Sequence, residues 1–243
     1  MNSHSFLASD NHQNNRYNFV SNSTFYRKNQ ENNGSGGSVL EDDYLRSCAL
    51  SSARKGDYTQ AIALLTELID RRPQNSVNYN NRGLIYFQSG EMPKALGDYN
   101  TALQLNPNLA SAYNNRANYH AARAELTAAL ADYDQAIDLN PSYVRARINR
   151  GITLRDLAQY EEAIETFEVA MLFGQLEGHI WAERGRTYHL WGDWNCAIAD
   201  YRRALTQLPG LDRKKDLSMS GYRLRLQIDN WLNELLLPGN PNS

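Results

Sequence analysis

The 243-residue chain has 25 basic and 27 acidic residues, which gives a formal net charge of -2 at pH 7. This balance creates no overall field that would attract nucleic acid or an anionic membrane, so neither is expected as a partner. No uncharged apolar run is long enough to span a bilayer, and the N-terminal residues lack a signal-peptide pattern. We therefore expect no membrane insertion and a cytoplasmic location.

Residues 1–41 are rich in Asn and Ser and contain the run Asn-Asn-Gly-Ser-Gly-Gly-Ser at positions 32–38. Burial of such side chains cannot offset the entropy lost on ordering the chain. We predict a disordered N-terminal arm. A second interpretation is that a short part of the arm docks on a protein surface through its aromatic residues, which are Phe6, Tyr17, Phe19, Phe25 and Tyr26.

Several residue types recur along the rest of the chain at a step of 34 positions. A fixed step of this length is the signature of stacked structural repeats. Small, aromatic and charged residues all follow the same step, as shown by Ala61, Ala95, Ala129, Ala163 and Ala197, by Tyr99, Tyr133, Phe167 and Tyr201, and by Arg82, Arg116, Arg150 and Arg184. The prolines set the register of five repeats, residues 42–75, 76–109, 110–143, 144–177 and 178–211.

Each repeat contains two amphipathic segments of roughly 14 residues, which predicts two helices joined by a short turn. Gly56, Gly90 and Gly192 stand where the first helix of a repeat must end. Pro93 stands at the predicted start of a second helix, where its missing N–H costs little. A proline follows the second helix in four of the repeats, at Pro73, Pro107, Pro141 and Pro209.

Each repeat tends to have a small residue at its eighth place, aromatic residues at the eleventh and twenty-fourth, Ala at the twentieth and twenty-seventh, and Pro at the thirty-second. This pattern resembles the tetratricopeptide repeat family. Two departures are that the family's Trp at the fourth place occurs only as Trp181, and that Gln175 stands where Pro is usual. The resemblance implies an all-α fold, a right-handed solenoid of about five helix-turn-helix repeats.

Residues 212–237 are predicted to form a linker and a C-terminal capping helix, followed by a tail at 238–243. Leu224, Ile228, Trp231 and Leu235 lie on one face of this helix. The last repeat of a stack exposes an apolar face, and such a helix would cover it. The alternative is a helix that binds a partner or a second copy of the chain.

The Arg at the seventh place has an Asp sixteen residues later in three repeats. This recurrence predicts that the two charges neutralise each other between the helices of a repeat. The pairs are Arg82 with Asp98, Arg116 with Asp132, and Arg184 with Asp200. Arg150 is expected to face Thr166 instead, with Glu165 beside it.

The sixth place carries Asn81, Asn115 and Asn149, with Asn80 and Asn114 beside the first two. The tetratricopeptide resemblance implies that this place faces a concave groove. An amide offers both a donor and an acceptor, so such a ladder can bind the backbone of an extended peptide. The alternative is that these Asn residues lie on a solvated helix face.

By the same resemblance, other residues of the groove are Phe87, Asn118, Arg145, Ile152, Arg155 and Arg186. Its three arginines would favour acidic segments. The carboxylate clamp of chaperone-binding family members is matched only in part. Asn115 and Arg145 fit it, but Asn80, Leu84 and Asn149 depart from it. Binding of a chaperone C terminus is therefore disfavoured.

No arrangement of residues resembles a catalytic or cofactor site. Cys48 and Cys196 show no metal-binding or redox spacing, and the few His residues form no metal-binding pair on one helix. We therefore expect no enzyme activity and no cofactor. The sequence predicts a scaffold or adaptor that binds an extended or helical segment of another protein, as an assembly factor or as a subunit of a larger complex. The alternative is a homo-oligomer formed through the C-terminal helix or the arm.

Overall fold

The computed structural model describes residues 36–208 and 219–236, and every regular element in these ranges is an α-helix. The chain divides into two compact units, one on each side of the boundary between Pro141 and Ser142. The N-terminal unit contains α1 (Gly36–Arg54), α2 (Tyr58–Arg71), α3 (Ser76–Gln88), α4 (Met92–Leu105), α5 (Ala110–Ala122) and α6 (Leu126–Leu139). The C-terminal unit contains α7 (Val144–Asp156), α8 (Tyr160–Met171), α9 (Glu177–Trp191), α10 (Trp194–Gln207) and α11 (Met219–Leu236).

Helices α1 to α10 alternate as first and second helices of the five predicted repeats. Within each unit, the two helices of a repeat pack on each other, and the second helix packs on the first helix of the next repeat. The predicted all-helical repeat fold is confirmed. None of the helices in the described ranges is long and apolar enough to cross a bilayer.

The turn inside each repeat contains one residue with a left-handed backbone. Gly56, Gly90 and Gly192 have φ of 83°, 84° and 93°, a region that glycine adopts without steric cost. Ala124 and Ala158 occupy the equivalent place in the third and fourth repeats, with φ of 58° and 59°. These two turns therefore hold a side chain in a backbone conformation that costs about 1–2 kcal/mol.

The small residue at the eighth place lets the two helices of a repeat approach closely. A Cβ atom added at Gly83 would lie 2.9 Å from Cε1 of Tyr99, and one added at Gly151 would lie 2.7 Å from Cε1 of Phe167. Gly185 stands in the same relation to the fully buried Tyr201. The aromatic ring of the second helix thus occupies the space that the small residue leaves.

The predicted ion pairs between the helices of a repeat are present. Arg116 donates from Nε and Nη2 to the two carboxylate oxygens of Asp132 at 2.7 and 2.8 Å. Arg150 donates to Thr166 Oγ1 at 2.7 Å, as expected, but its carboxylate partner is Glu162 at 2.8 Å rather than the neighbouring Glu165. The other two-pronged pairs are Arg82 with Asp98 and Arg184 with Asp200.

The first helix extends further towards the N terminus than the sequence predicts. Helix α1 begins at Gly36, so residues 36–41, which we assigned to the arm, are helical. Asp42, nearly buried on α1, forms ion pairs with Arg71 and Arg72 at the end of α2. These charges hold the beginning of α1 against α2, an effect of tertiary structure that the local Gly-Ser composition did not reveal. Residues 1–35 of the predicted arm lie outside the described residues.

Helix α11 lies within the segment predicted to cap the last repeat. Leu224, Ile228 and Leu235 are buried in one cluster with side chains of α9 and α10. Trp231 stacks on Tyr201 of α10 at a centroid distance of 5.5 Å. The predicted linker at 212–218 and the tail at 238–243 lie outside the described residues.

Candidate protein-binding site

Four asparagines of the predicted ladder form a continuous chain of side-chain hydrogen bonds in the N-terminal unit. Asn114 donates to Oδ1 of Asn115 at 3.4 Å, Asn115 donates to Oδ1 of Asn80 at 3.0 Å, and Asn80 donates to Oδ1 of Asn81 at 3.5 Å. The middle bond joins α5 to α3, the first helices of two successive repeats. We call Asn80, Asn81, Asn114 and Asn115 the asparagine chain.

All four side chains of the asparagine chain are 0% exposed. Buried amides need hydrogen-bond partners because removing them from water without compensation costs free energy. Their burial does not fit the alternative of a solvated helix face. That these residues contact a bound peptide stays a prediction.

The other two predicted residues of the N-terminal unit pack against aromatic rings. Asn118 accepts a hydrogen bond from the hydroxyl of Tyr133 at 2.7 Å, which ties α5 to α6. Phe87 is buried and meets the ring of Tyr119 edge-on, with centroids 6.5 Å apart. Asn118 therefore stabilises the packing of its own repeat, and Phe87 packs on the first helix of the next repeat.

In the C-terminal unit, Asn149, Ile152 and Arg155 are buried on α7. Arg155 donates to Oε2 of Glu183 on α9 at 2.7 Å, and both side chains are almost fully buried. This pair neutralises the charge of Arg155, which weakens its predicted role in attracting an acidic segment. Glu183 could have been found from the sequence, because it follows Asn149 by the repeat step and so stands at the sixth place.

Among the predicted groove residues of this unit, Arg186 and Arg145 are half-buried. Arg186 lies 5.1 Å from the ring centroid of Trp231 and 3.9 Å from Oε2 of Glu234, so α11 covers part of its guanidinium group. Glu234 therefore partly balances the charge of Arg186. Burial lowers the pKa of His179, and the positive charge of Arg145 lowers it further.

Sequence reasoning missed Arg46, which stands one repeat step before Asn80 at the fifth place. Its buried guanidinium donates from Nε and Nη2 to Oδ1 of Asn78, both at 3.2 Å, and from Nη1 to Asp43 at 2.6 Å. The fifth place of the first repeat thus carries an arginine whose charge is balanced by Asp43. The next two repeats carry an amide at this place. Within the described ranges, no group of three or more His, Cys, Asp or Glu side chains could hold a metal ion.

Comparison with known families gives three matches. A TPR repeat model matches residues 83–123, and two tetratricopeptide repeat models match residues 114–171 and 49–75. The matched segments include Asn114 and Asn115 of the asparagine chain. Asn80 and Asn81 lie just before the match that begins at residue 83. No curated protein matches the chain.

Solved structures with the same fold include TTC0263, a thermophilic TPR protein of Thermus thermophilus, which is 18% identical, with a TM-score of 0.65 over 79% of this chain and 98% of that chain. PilW, described as a widely conserved type IV pilus biogenesis factor, is 22% identical, with a TM-score of 0.64 over 79% of this chain and 86% of that chain. MamA is 22% identical, with a TM-score of 0.57 over 65% of this chain and 93% of that chain. At these identities the likeness shows the fold alone.

Proposed function

Because this chain belongs to the tetratricopeptide repeat family, we propose that it is a non-catalytic scaffold or adaptor that binds an extended or helical segment of another protein. Within the N-terminal unit, the binding surface is the face formed by the first helices α3 and α5. The observation that carries this proposal is the asparagine chain, which places polar side chains of successive repeats in one connected row.

Asn80 and Asn115 have the chemistry to bind a peptide backbone. Each uses one amide N–H and one acceptor position within the asparagine chain. A side-chain amide has two N–H donors and an oxygen with two lone pairs, so each has capacity for a second partner. Because both residues are fully buried, a bound segment reaches that capacity only by displacing the side chains that cover them. Because Asn80 and Asn115 hold each other in place, the ordering cost on binding is reduced. Hydrogen bonds of this kind recognise a backbone without demanding a particular sequence.

The positive charge of Arg145 and Arg186 adds a preference for acidic side chains in the bound segment. Both arginines are half-buried, so this contribution is modest and weakens as the salt concentration rises. PilW is described as a biogenesis factor, and an analogous part in assembling a larger complex is included in our proposal.

A pull-down from native extract tests the proposal. The wild type is compared with the triple variant Asn81→Ala, Asn115→Ala, Asn149→Ala, and retained proteins are identified by mass spectrometry. A matched control replaces three exposed amides on second helices, Gln104→Ala, Gln135→Ala and Gln207→Ala. All three proteins are assayed at a temperature at which circular dichroism shows them to be folded.

The proposal predicts specific partners that bind the wild type and the glutamine control but not the asparagine variant. Partners retained equally by all three proteins would show that binding uses a different surface, and the first-helix face would then lose its assigned role.

A further inference from the structure

The fifth repeat departs from the others at the end of its first helix. At the thirteenth and fourteenth places the first three repeats carry Arg54-Lys55, Gln88-Ser89 and Ala122-Arg123, whereas the fifth carries Leu190-Trp191. Leu190 is 48% exposed and Trp191 is 45% exposed. The fourth repeat carries Asp156-Leu157, so the fifth is the repeat with large apolar side chains at both places. Exposed apolar patches of this kind mark interaction surfaces.

Trp191 borders an open cleft of about 620 Å³ within the C-terminal unit. This volume lies in the range of roughly 300–1,000 Å³ that is typical of binding pockets. Trp191 also stacks on Tyr160 of the preceding repeat, with centroids 6.3 Å apart, which fixes the position of the indole. The apolar lining comes from the fifth repeat and the end of α11, and consists of Trp191, Trp194, Ile198, Leu235 and Leu236. We call this site the tryptophan cleft.

The charge around the tryptophan cleft is negative. Asp193 lines it and is exposed, and no Lys or Arg is among the described residues that line it. A side-chain hydrogen bond with Asp193 raises the pKa of the Cys196 thiol, and the negative charge of this carboxylate raises it further. Glu234, beside Leu235 on α11, is 60% exposed and lies 3.9 Å from Arg186, so its charge is partly balanced and Asp193 is the carboxylate that lines the cleft. A ligand that matches this surface carries a bulky apolar group flanked by cations.

We propose that the tryptophan cleft docks a basic amphipathic helix of a partner protein, with a large apolar side chain inserted between Trp191, Trp194 and Leu235. Helices commonly bind in grooves through such anchors, and Trp residues often contribute most of the binding free energy. The site uses other residues than the asparagine chain, so it adds a second interaction surface to the one proposed above.

A second copy of this chain is a poorer occupant. In a two-fold dimer the same patch lies on both partners, so a dimer through this cleft would place Asp193 and Glu234 of each copy close to the same acidic residues of the other. Such like-charge contacts oppose association. The charge of the cleft therefore favours a cationic partner over self-association.

Fluorescence anisotropy of labelled peptides on the full chain tests this inference. One peptide is an amphipathic helix of Leu and Lys with all Leu on one face, and the other has every Lys replaced by Glu. The double variant Leu190→Ser, Trp191→Ser removes Trp191 from the lining together with the exposed Leu190 beside it. Its matched control is Leu172→Ser, which changes another exposed leucine, 83% exposed on the C-terminal side of α8.

The Lys peptide should bind the wild type and Leu172→Ser alike, and the double variant at least about tenfold more weakly. Asp193→Asn should weaken binding and reduce its salt dependence while keeping a side chain that can cap α10. The Asn81, Asn115, Asn149 variant should bind as the wild type does, which separates this site from the first-helix face.

Equal binding of the Glu peptide, or unchanged binding to a folded double variant, would overturn the inference. Sedimentation equilibrium supplies a further check on the occupant. A dimer that dissociates in the double variant would show that a second copy, not a basic helix, occupies the cleft.

Discussion

Asn115 on α5 donates a hydrogen bond of 3.0 Å to Asn80 on α3, which links two successive repeats through fully buried amides. Replacing Asn115 with Ala removes this donor and leaves Oδ1 of Asn80 buried without it. We expect the free energy of unfolding to fall by about 1–3 kcal/mol, as measured by urea denaturation. Asn108→Ala, at an exposed position between α4 and α5, is the control and should change stability by less than about 0.5 kcal/mol. Equal effects of the two substitutions would contradict a structural role for the Asn115–Asn80 bond.

The contribution of the Arg116–Asp132 pair to the free energy of unfolding should depend on charge and not only on the shape of the side chains. Asp132→Asn keeps the size of the side chain but removes the carboxylate that accepts both guanidinium hydrogen bonds. Hydrogen bonds to charged groups contribute about 1.5–3 kcal/mol, and we expect a loss of that order in the free energy of unfolding. Asp138→Asn, on the exposed face of the same helix, should have little effect.

A double variant of Arg116 and Asp132 tests how much free energy a partly buried, unpaired charge costs at this position. Arg116→Met combined with Asp132→Leu leaves no partly buried charge, so it should be more stable than Asp132→Asn alone. A double variant less stable than the single one would show that the unpaired charge of Arg116 costs less than the packing changed by replacing both side chains.

Gly151 contacts Phe167, whereas Gly97 lies on an open helix face. We therefore expect the substitution of Gly by Ala to have opposite effects on stability at these two positions. Gly151→Ala would place a methyl group 2.7 Å from the Phe167 ring and should destabilise the chain by about 1–3 kcal/mol. Gly97→Ala adds the same methyl group on an exposed face of α4, where it meets no atom within 4 Å. There the gain in helix propensity should stabilise by about 1 kcal/mol. Thermal unfolding of both variants checks the difference in sign.

The repeat step was sufficient to predict the helix pairs and the ion pairs between them. Arg82, Arg116 and Arg184 each bind the Asp sixteen residues later, because a repeated fold places equal sequence separations at equal distances. The same regularity could not predict the local exceptions. Arg150 binds Glu162 instead of an Asp at the twenty-third place, since Thr166 offers only a hydroxyl there.

Contacts across repeats were harder to predict than contacts within one. The sequence indicated a row of asparagines, but not that Asn115 bonds to Asn80 or that all four residues of the asparagine chain are buried. These properties depend on how the first helices pack side by side, which the period alone does not specify. In the same way, the partial cover of Arg186 by Trp231 depends on the placement of α11.

The left-handed alanines in two turns predict a simple stabilisation. Ala124→Gly and Ala158→Gly relieve the steric cost at φ of 58° and 59°, which exceeds the added entropy of a glycine in the unfolded chain. Each should raise the free energy of unfolding by up to about 1 kcal/mol. Ala128→Gly, at an exposed position inside α6, is the matched control and should lower it by about 1 kcal/mol. Destabilisation by all three substitutions would show that the turns are not strained.

Stability should fall on mild acidification because of two histidines in the C-terminal unit. Burial lowers the pKa of His179 and of His189, and the nearby Arg145 and Arg186 lower them further. As the pH falls below about 6.5, the ordinary His pKa, the unfolded chain takes up protons that the folded chain still excludes. The free energy of unfolding should therefore decrease from neutral pH down through the lowered folded-state values. Urea denaturation between about pH 7.5 and 5.5, above the range in which most carboxylates titrate, measures this decrease. The double variant His179→Gln, His189→Gln should show a smaller decrease, and an unchanged one would mean that other groups cause the acid sensitivity.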